Sequence, residues 1–235
     1  TTGIKTGEWK LGLNSLLFED VCMLIGSIAF SNGYVNNFRD PFILCLNLNT
    51  NRNVKCLNRI KKILYKSFRS NLLSSDYTFS SNNMAEVPIS ELIGKVVIFT
   101  SDGYQNSELE ELVNYSWDKE ELNKISYKSI DPTVPDEEAV KFNTDSLKDF
   151  NKNNITLVVP SETSFYTNNF DPQYAHNSGS QLVFMNYNKM GSELDSYITT
   201  FKHDSFLPKP NNMISLSASE GSSIRRVIQA NADQE

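Results

Sequence analysis

Two histidines, His176 and His203, are the only imidazoles in the chain. The His203-Asp204 pair, with Asp171, could bind a metal or relay a proton, since neutral imidazole both donates and accepts and carboxylates suit hard cations. The simpler reading is a hydrogen-bonded structural histidine at His176 and a loop pair at His203-Asp204. The acidic doublets Glu110-Glu111, Glu120-Glu121 and Glu137-Glu138 read as solvated charges rather than general acid/base dyads, which need two carboxyls in contrasting environments. Cys22, Cys45 and Cys56 sit in or beside apolar runs without C-x-x-C spacing, which points to buried reduced thiols and to a reducing compartment rather than to a disulfide framework or zinc site. The sequons Asn114-Tyr115-Ser116 and Asn154-Ile155-Thr156 arise readily in an Asn- and Ser-rich chain.

These residues need elements to position them. Leu16, Leu17, Val21, Leu24, Ile25 and Ile28 follow helical spacing behind an Asn14 or Ser15 cap and predict a helix over about 15–31. Phe42 to Leu46 and Val96 to Phe99 are short continuous apolar runs, the pattern of strands buried on both faces. Between them Val54–Phe68 is amphipathic, with Leu57, Ile60, Ile63 and Leu64 on one side and Arg59, Lys61, Lys62 and Lys66 on the other. That pattern predicts a solvated helix face packed on a sheet, with a membrane-surface or partner-binding helix as the open alternative. Residues 70–86 read as a surface loop. Ser107 to Ile125, opened by a Ser107/Glu110 capping box, predicts a helix, as does 145–152; Ile155 to Val159 predicts a strand stopped by Pro160, and Phe184 to Tyr187 a last strand. Strands alternating with helices imply a largely parallel sheet, either a barrel or an open doubly wound sheet.

The composition is that of a folded domain: 39% apolar and 21% charged residues, with 14 Phe and 10 Tyr in 235 residues. A formal net charge of −6 argues against bulk attraction to nucleic acid or to an anionic bilayer. No apolar run is long enough for a membrane-spanning helix.

A set of motifs selects among these architectures. Asn168-Asn169-Phe170-Asp171-Pro172, His176-Asn177-Ser178-Gly179-Ser180-Gln181, Asn186-Tyr187 and Leu207-Pro208-Lys209-Pro210 resemble the Y-box of eukaryotic phosphoinositide-specific phospholipase C. Upstream, Leu16 to Val21, Pro41 to Leu46, Val87-Pro88 with Gly94-Lys95, and Glu108 to Tyr115 resemble further segments of that family, in its order. The resemblance implies a TIM-barrel-like α/β fold, a phospholipase C-like phosphodiesterase barrel, over residues 1–210. Within it residues 3–100 would be X-like and 107–210 Y-like, and 211–235 would form a polar tail.

The resemblance also implies a site. The family cleaves its phosphodiester with two histidines and a calcium ion. Here Glu8 stands where the second histidine is expected, and Asn47 replaces a calcium-binding glutamate. Phe99 and Ser101 replace headgroup-binding lysines, and Leu157 and Val159 replace an arginine and a tyrosine. The expectation is a pseudoenzyme with no catalytic residues, metal or cofactor, acting as a structural or interaction subunit of a larger assembly such as a virion or organellar complex. A lipid-active protein with an altered site, either a phosphodiesterase or a headgroup binder, stays open, and so does peripheral lipid contact. The resemblance further implies that the chain opens at the third barrel strand, Ile4-Lys5-Thr6, so that the first two strands are missing. A fragment cleaved before Thr1, or a partner protein, would then supply them, because exposed strand edges invite pairing.

Overall fold

The computed structural model describes residues 16–81, 84, 87–117, 122–127, 145–160, 169–210 and 213. Ile4 to Thr6, the expected third barrel strand, lies outside them, as do most of the expected polar tail and the whole of Asn168.

Among the described residues there are six strands, each parallel to its neighbours. In one sheet β1 (Phe42–Leu46) pairs with β2 (Val96–Thr100), and β2 with β3 (Tyr115–Ser116). In the other, β4 (Leu122–Tyr127) pairs with β5 (Ile155–Pro160), and β5 with β6 (Leu182–Val183). The described strands therefore form two three-stranded sheets, and the barrel expected from the resemblance is not closed among them.

Alternation along the strands divides the core. Phe42, Leu44, Val96 and Ile98 face a helical layer made by α1 (Phe18–Ile28) and α2 (Val54–Phe68), whose Cys22, Leu57, Ile60, Leu64 and Phe68 complete that cluster. Ile43, Cys45, Val97, Phe99 and Tyr115 face the opposite way, into a second cluster that Ile155 and Leu182 of the other sheet also join. The two sheets thus share an inner core. A third cluster packs Val158 and Val183 against α3 (Asp145–Asn153), α4 (Pro172–Asn177) and α5 (Ser192–Thr200) through Leu147, Ala175 and Leu194.

The amphipathic reading of α2 holds residue by residue, and Asn53 caps it by accepting from the Cys56 amide at 3.1 Å. Helix α1 crosses close to it because residue 26 is glycine: a Cβ there would stand 2.3 Å from the main-chain oxygen of Ser67.

Three expectations fail, each for a local reason. Ser107 to Ile125 is not a helix. Ser107 does accept from the Leu109 amide, but the turn runs only over Glu108–Leu112 in 3-10 geometry before the chain becomes β3 and β4. Pairing with the central strand outweighs helical propensity there, and the Asn114 side chain extends the pairing by accepting from the Ile98 amide at 2.8 Å. The last strand is Leu182–Val183 rather than Phe184 to Tyr187, because Asn169 accepts from the Asn186 amide and turns the chain away. The stretch 70–86 is more than a surface loop: Thr78 and Met84 are buried, and the Phe79 amide bonds to the Val113 carbonyl at 2.8 Å.

Candidate functional site

In parallel α/β sheets, ligand sites form at the carboxyl ends of the strands, where the loops can converge over the sheet. Of the five described positions singled out from the sequence, Asn47, Phe99, Ser101 and Val159 lie within one residue of a strand's carboxyl end, and Leu157 lies in the middle of β5. Their parity also agrees. Asn47 continues the alternation of Ile43 and Cys45, Phe99 and Ser101 continue that of Val97, and Leu157 and Val159 continue that of Ile155, so all five belong to the inner side. Glu8 lies outside the described residues.

None of the five side chains at these positions carries a charge. Phe99 is 3% exposed and stacks on Tyr115, its register partner, with ring centroids 5.1 Å apart and planes 10° from parallel. Leu157 is buried, and Val159 is half-buried at the end of β5. The Ser101 hydroxyl accepts from the Leu48 amide at 2.7 Å and so ties the loop after β1 to the loop after β2. Asn47 is exposed and offers only a neutral amide. Asp102, next in the chain after Ser101, is bound to Arg52 at 2.6 Å, and hydrogen bonds from Gln105 and the Gly103 amide, with that guanidinium, hold its carboxyl below the usual carboxylate range. A calcium cage wants six to eight oxygens with several carboxylates. The residues here do not fit one, and among the described residues no three His, Cys, Asp or Glu side chains cluster for a metal.

The histidines are not brought together as a catalytic or metal-binding set. His203 and Asp204 are exposed, and the His203 carbonyl accepts from the Asn37 side chain at 3.0 Å. His176 lies on α4 among aromatics, 5.6 Å from the Phe201 ring and 6.3 Å from that of Tyr197. The expected hydrogen bond at its Nε2 is absent: that atom is buried without a partner, because the ring faces α5 rather than a polar loop. Burial lowers its pKa, partly opposed by the Asp171 carboxylate. A histidine kept neutral in the fold but free to protonate when unfolded gives the unfolded state the extra proton, so stability is full above about pH 6.5 and falls as pH drops through the lowered folded pKa. The melting temperature of the chain should therefore drop between pH 7 and pH 5 more steeply than that of His176→Phe, measured by circular dichroism.

Sequence reasoning missed what the Y-box-like polar residues do. Gln181 accepts from the Thr156 amide at 2.7 Å and donates to the Asn151 and Asn154 carbonyls at 3.0 and 2.9 Å, joining the end of α3 to the start of β5. Asn169 donates to the Asn186 and Lys189 carbonyls and accepts from the Asn186 amide, closing one loop. Gly179 has φ +74°, and a Cβ on it would collide with the Met213 side chain. Lys209 donates to the Asn151 carbonyl, and burial lowers its pKa. A string of small amides and hydroxyls flanking glycine, too short to be helix or strand, is the sequence signal for such ties.

Of the cysteines, all are free, and burial pushes the thiols of Cys22 and Cys45 up to about 12, so neither is a ready nucleophile. Asn114 of the first sequon is 3% exposed with its amide nitrogen bonded to the Tyr77 carbonyl, leaving no room for a glycan.

Comparison with known proteins adds three findings. Residues 105–220 match the family model of the phosphatidylinositol-specific phospholipase C Y domain. The crystal structure of L. pealei PLC21 is similar with a TM-score of 0.62 at 18% identity, covering 87% of this chain and 30% of that one. That of S. officinalis PLC21 is similar with a TM-score of 0.63 at 20% identity, covering 86% and 30%. The chain thus spans about 30% of the length of these structures. No curated protein matches by sequence.

Proposed function

Taking as premise that the chain is phosphoinositide-specific phospholipase C-like, with the Y domain over residues 105–220, we propose that it is a non-catalytic member acting as a structural or interaction subunit. The carrying observation is the character of the inner face at the strand carboxyl ends. Phosphodiester cleavage develops negative charge that must meet cations or preorganised donors. Asn47, Phe99, Ser101, Leu157 and Val159 supply no cation, and Ser101 and Phe99 are already committed to holding loops and core together. No resident group has to be moved aside for the fold to be satisfied, which favours scaffold over catalyst.

The fold reading that accompanies this proposal takes the two sheets as arcs of one barrel. Their common inner cluster, reached by Val97, Phe99 and Tyr115 from one side and by Ile155 and Leu182 from the other, supports it.

The test is incubation of the purified chain with phosphatidylinositol 4,5-bisphosphate vesicles and calcium, following inositol phosphate release. No release above a protein-free blank is expected, since losing acid, base and cation clamp together removes several powers of ten in rate. Calcium-dependent turnover that disappears in Glu8→Ala or Asn47→Ala would overturn the proposal.

A further inference from the structure

An open groove of about 770 Å3 runs along the last turns of α2 and onto the residues just after it. It is lined by Lys61, Lys62, Tyr65, Lys66 and Arg69, with Glu108 at one rim. In a chain whose formal charge is −6, four cations around one groove stand against the average. Two are already engaged: Lys61 with Glu111 at 2.7 Å, and Lys66 with Glu19 at 2.8 Å. Lys62 and Arg69 are exposed and, among the described residues, have no side-chain hydrogen bond or ion pair.

A second observation concerns the backbone. Arg69 follows the helix with φ 35° and ψ −106°, a conformation that side-chain-bearing residues avoid and glycine adopts freely. Glycine is the ordinary residue where a helix ends in positive φ. At Arg69 that conformation coincides with an exposed side chain beside the groove.

We propose that this groove docks an acidic peptide segment of a partner protein. The proposal deepens the interaction reading above and rests on it. Lys62, Lys66 and Arg69 lie at i, i+4 and i+7 on one stripe of α2 and its cap. At 1.5 Å rise per residue they are stepped by roughly 6 and 4.5 Å. Carboxylates on alternate residues of an extended chain recur every ~6.6 Å and can follow that ladder. Tyr65, 62% exposed, adds an aromatic face for the stems. A flat anionic bilayer fits less well. Glu19, Glu108 and Glu111 border the cations and would face the lipid phosphates, whereas a narrow peptide passes between them. Nor has α2 an apolar side to insert, because Leu57, Ile60, Ile63, Leu64 and Phe68 are buried in the core.

The experiment is fluorescence anisotropy on the full chain with a labelled peptide of alternating Glu and Ala, its Gln/Ala twin, and vesicles of phosphatidylserine and phosphatidylcholine. Binding of the Glu peptide alone is expected, weakening with salt and by about tenfold or more in Lys62→Glu/Arg69→Glu, while Lys202→Glu leaves it unchanged. Arg69→Gly should raise the melting temperature while lowering affinity, a pairing that a purely structural arginine would not give. Equal binding of both peptides, no binding, indifference to charge reversal, or capture by the vesicles in place of the peptide would overturn it. Inositol phosphate release measured on the same preparations separates the two proposals. Turnover would sink the non-catalytic reading, whereas failed peptide binding without turnover would sink the groove alone.

Discussion

Asn114→Leu is expected to destabilise the chain by about 2–6 kcal/mol, the sum for two buried polar groups left unpartnered at roughly 1–3 kcal/mol each. Leucine has the same branching and the same number of side-chain heavy atoms as asparagine and is somewhat bulkier, so none of the loss is a cavity. What is lost is the substitute ladder. Asn114 Oδ1 accepts from the Ile98 amide at 2.8 Å, and its Nδ2 donates to the Tyr77 carbonyl at 2.8 Å. The first bond satisfies a buried amide of the central strand, and the second anchors the segment before β2. The main chain of the same residue donates to the Ile98 carbonyl at 2.9 Å, so backbone and side chain together make the junction from β2 to β3. Urea unfolding followed by circular dichroism measures the loss as a lower midpoint with an unchanged slope. A loss under half a kcal/mol would mean water reaches Ile98, contrary to its 1% exposure.

The second large effect belongs to Asn151→Leu, for which about 2–6 kcal/mol is expected because a carbonyl and a hydroxyl lose their partners in a dry site. Asn151 is fully buried, donating to the Ser178 carbonyl at 2.9 Å and accepting from the Thr156 hydroxyl at 2.5 Å. These bonds, with those of Gln181, lock α3, β5 and the glycine-containing turn after α4 into one unit. Thr156→Val alone should also destabilise, since it strands the Asn151 oxygen. The double variant Asn151→Leu/Thr156→Val should cost clearly less than the two single losses added, because it removes both ends of one bond. Simple additivity in that cycle would show that the two side chains do not act on each other.

The sequence made some features legible and left others closed. Helix α2 was readable because its apolar spacing, its Asn53 cap and its cationic outer side agree with one another, so propensity and burial point the same way. Strands β1 and β2 were readable as unbroken apolar runs, and both lie between a helical layer and the inner core. The Glu- and Leu-rich stretch from Ser107 misled because its local preference is helical. Its fate was set by pairing with β2 on one side of it in the chain and with β5 on the other, neither of which its own residues announce. His176 misled in another way: its neighbours Tyr197 and Phe201 come from α5, whose position no local pattern revealed.

For the candidate site, the amino-acid sequence by itself determined which chemical groups are present: neutral or apolar side chains at Asn47, Phe99, Ser101, Leu157 and Val159, and a cationic stripe on α2. That follows from composition at fixed positions and needs no coordinates. Only the tertiary structure decided that those five positions share the inner side of two parallel sheets, that Phe99 is spent on Tyr115 and Ser101 on Leu48, and that Lys62 and Arg69 remain unengaged beside Lys61 and Lys66, which do not. Strand pairing and side-chain partnership are contacts between residues distant along the chain. They are fixed by which surfaces bury each other, and no local pattern contains that choice.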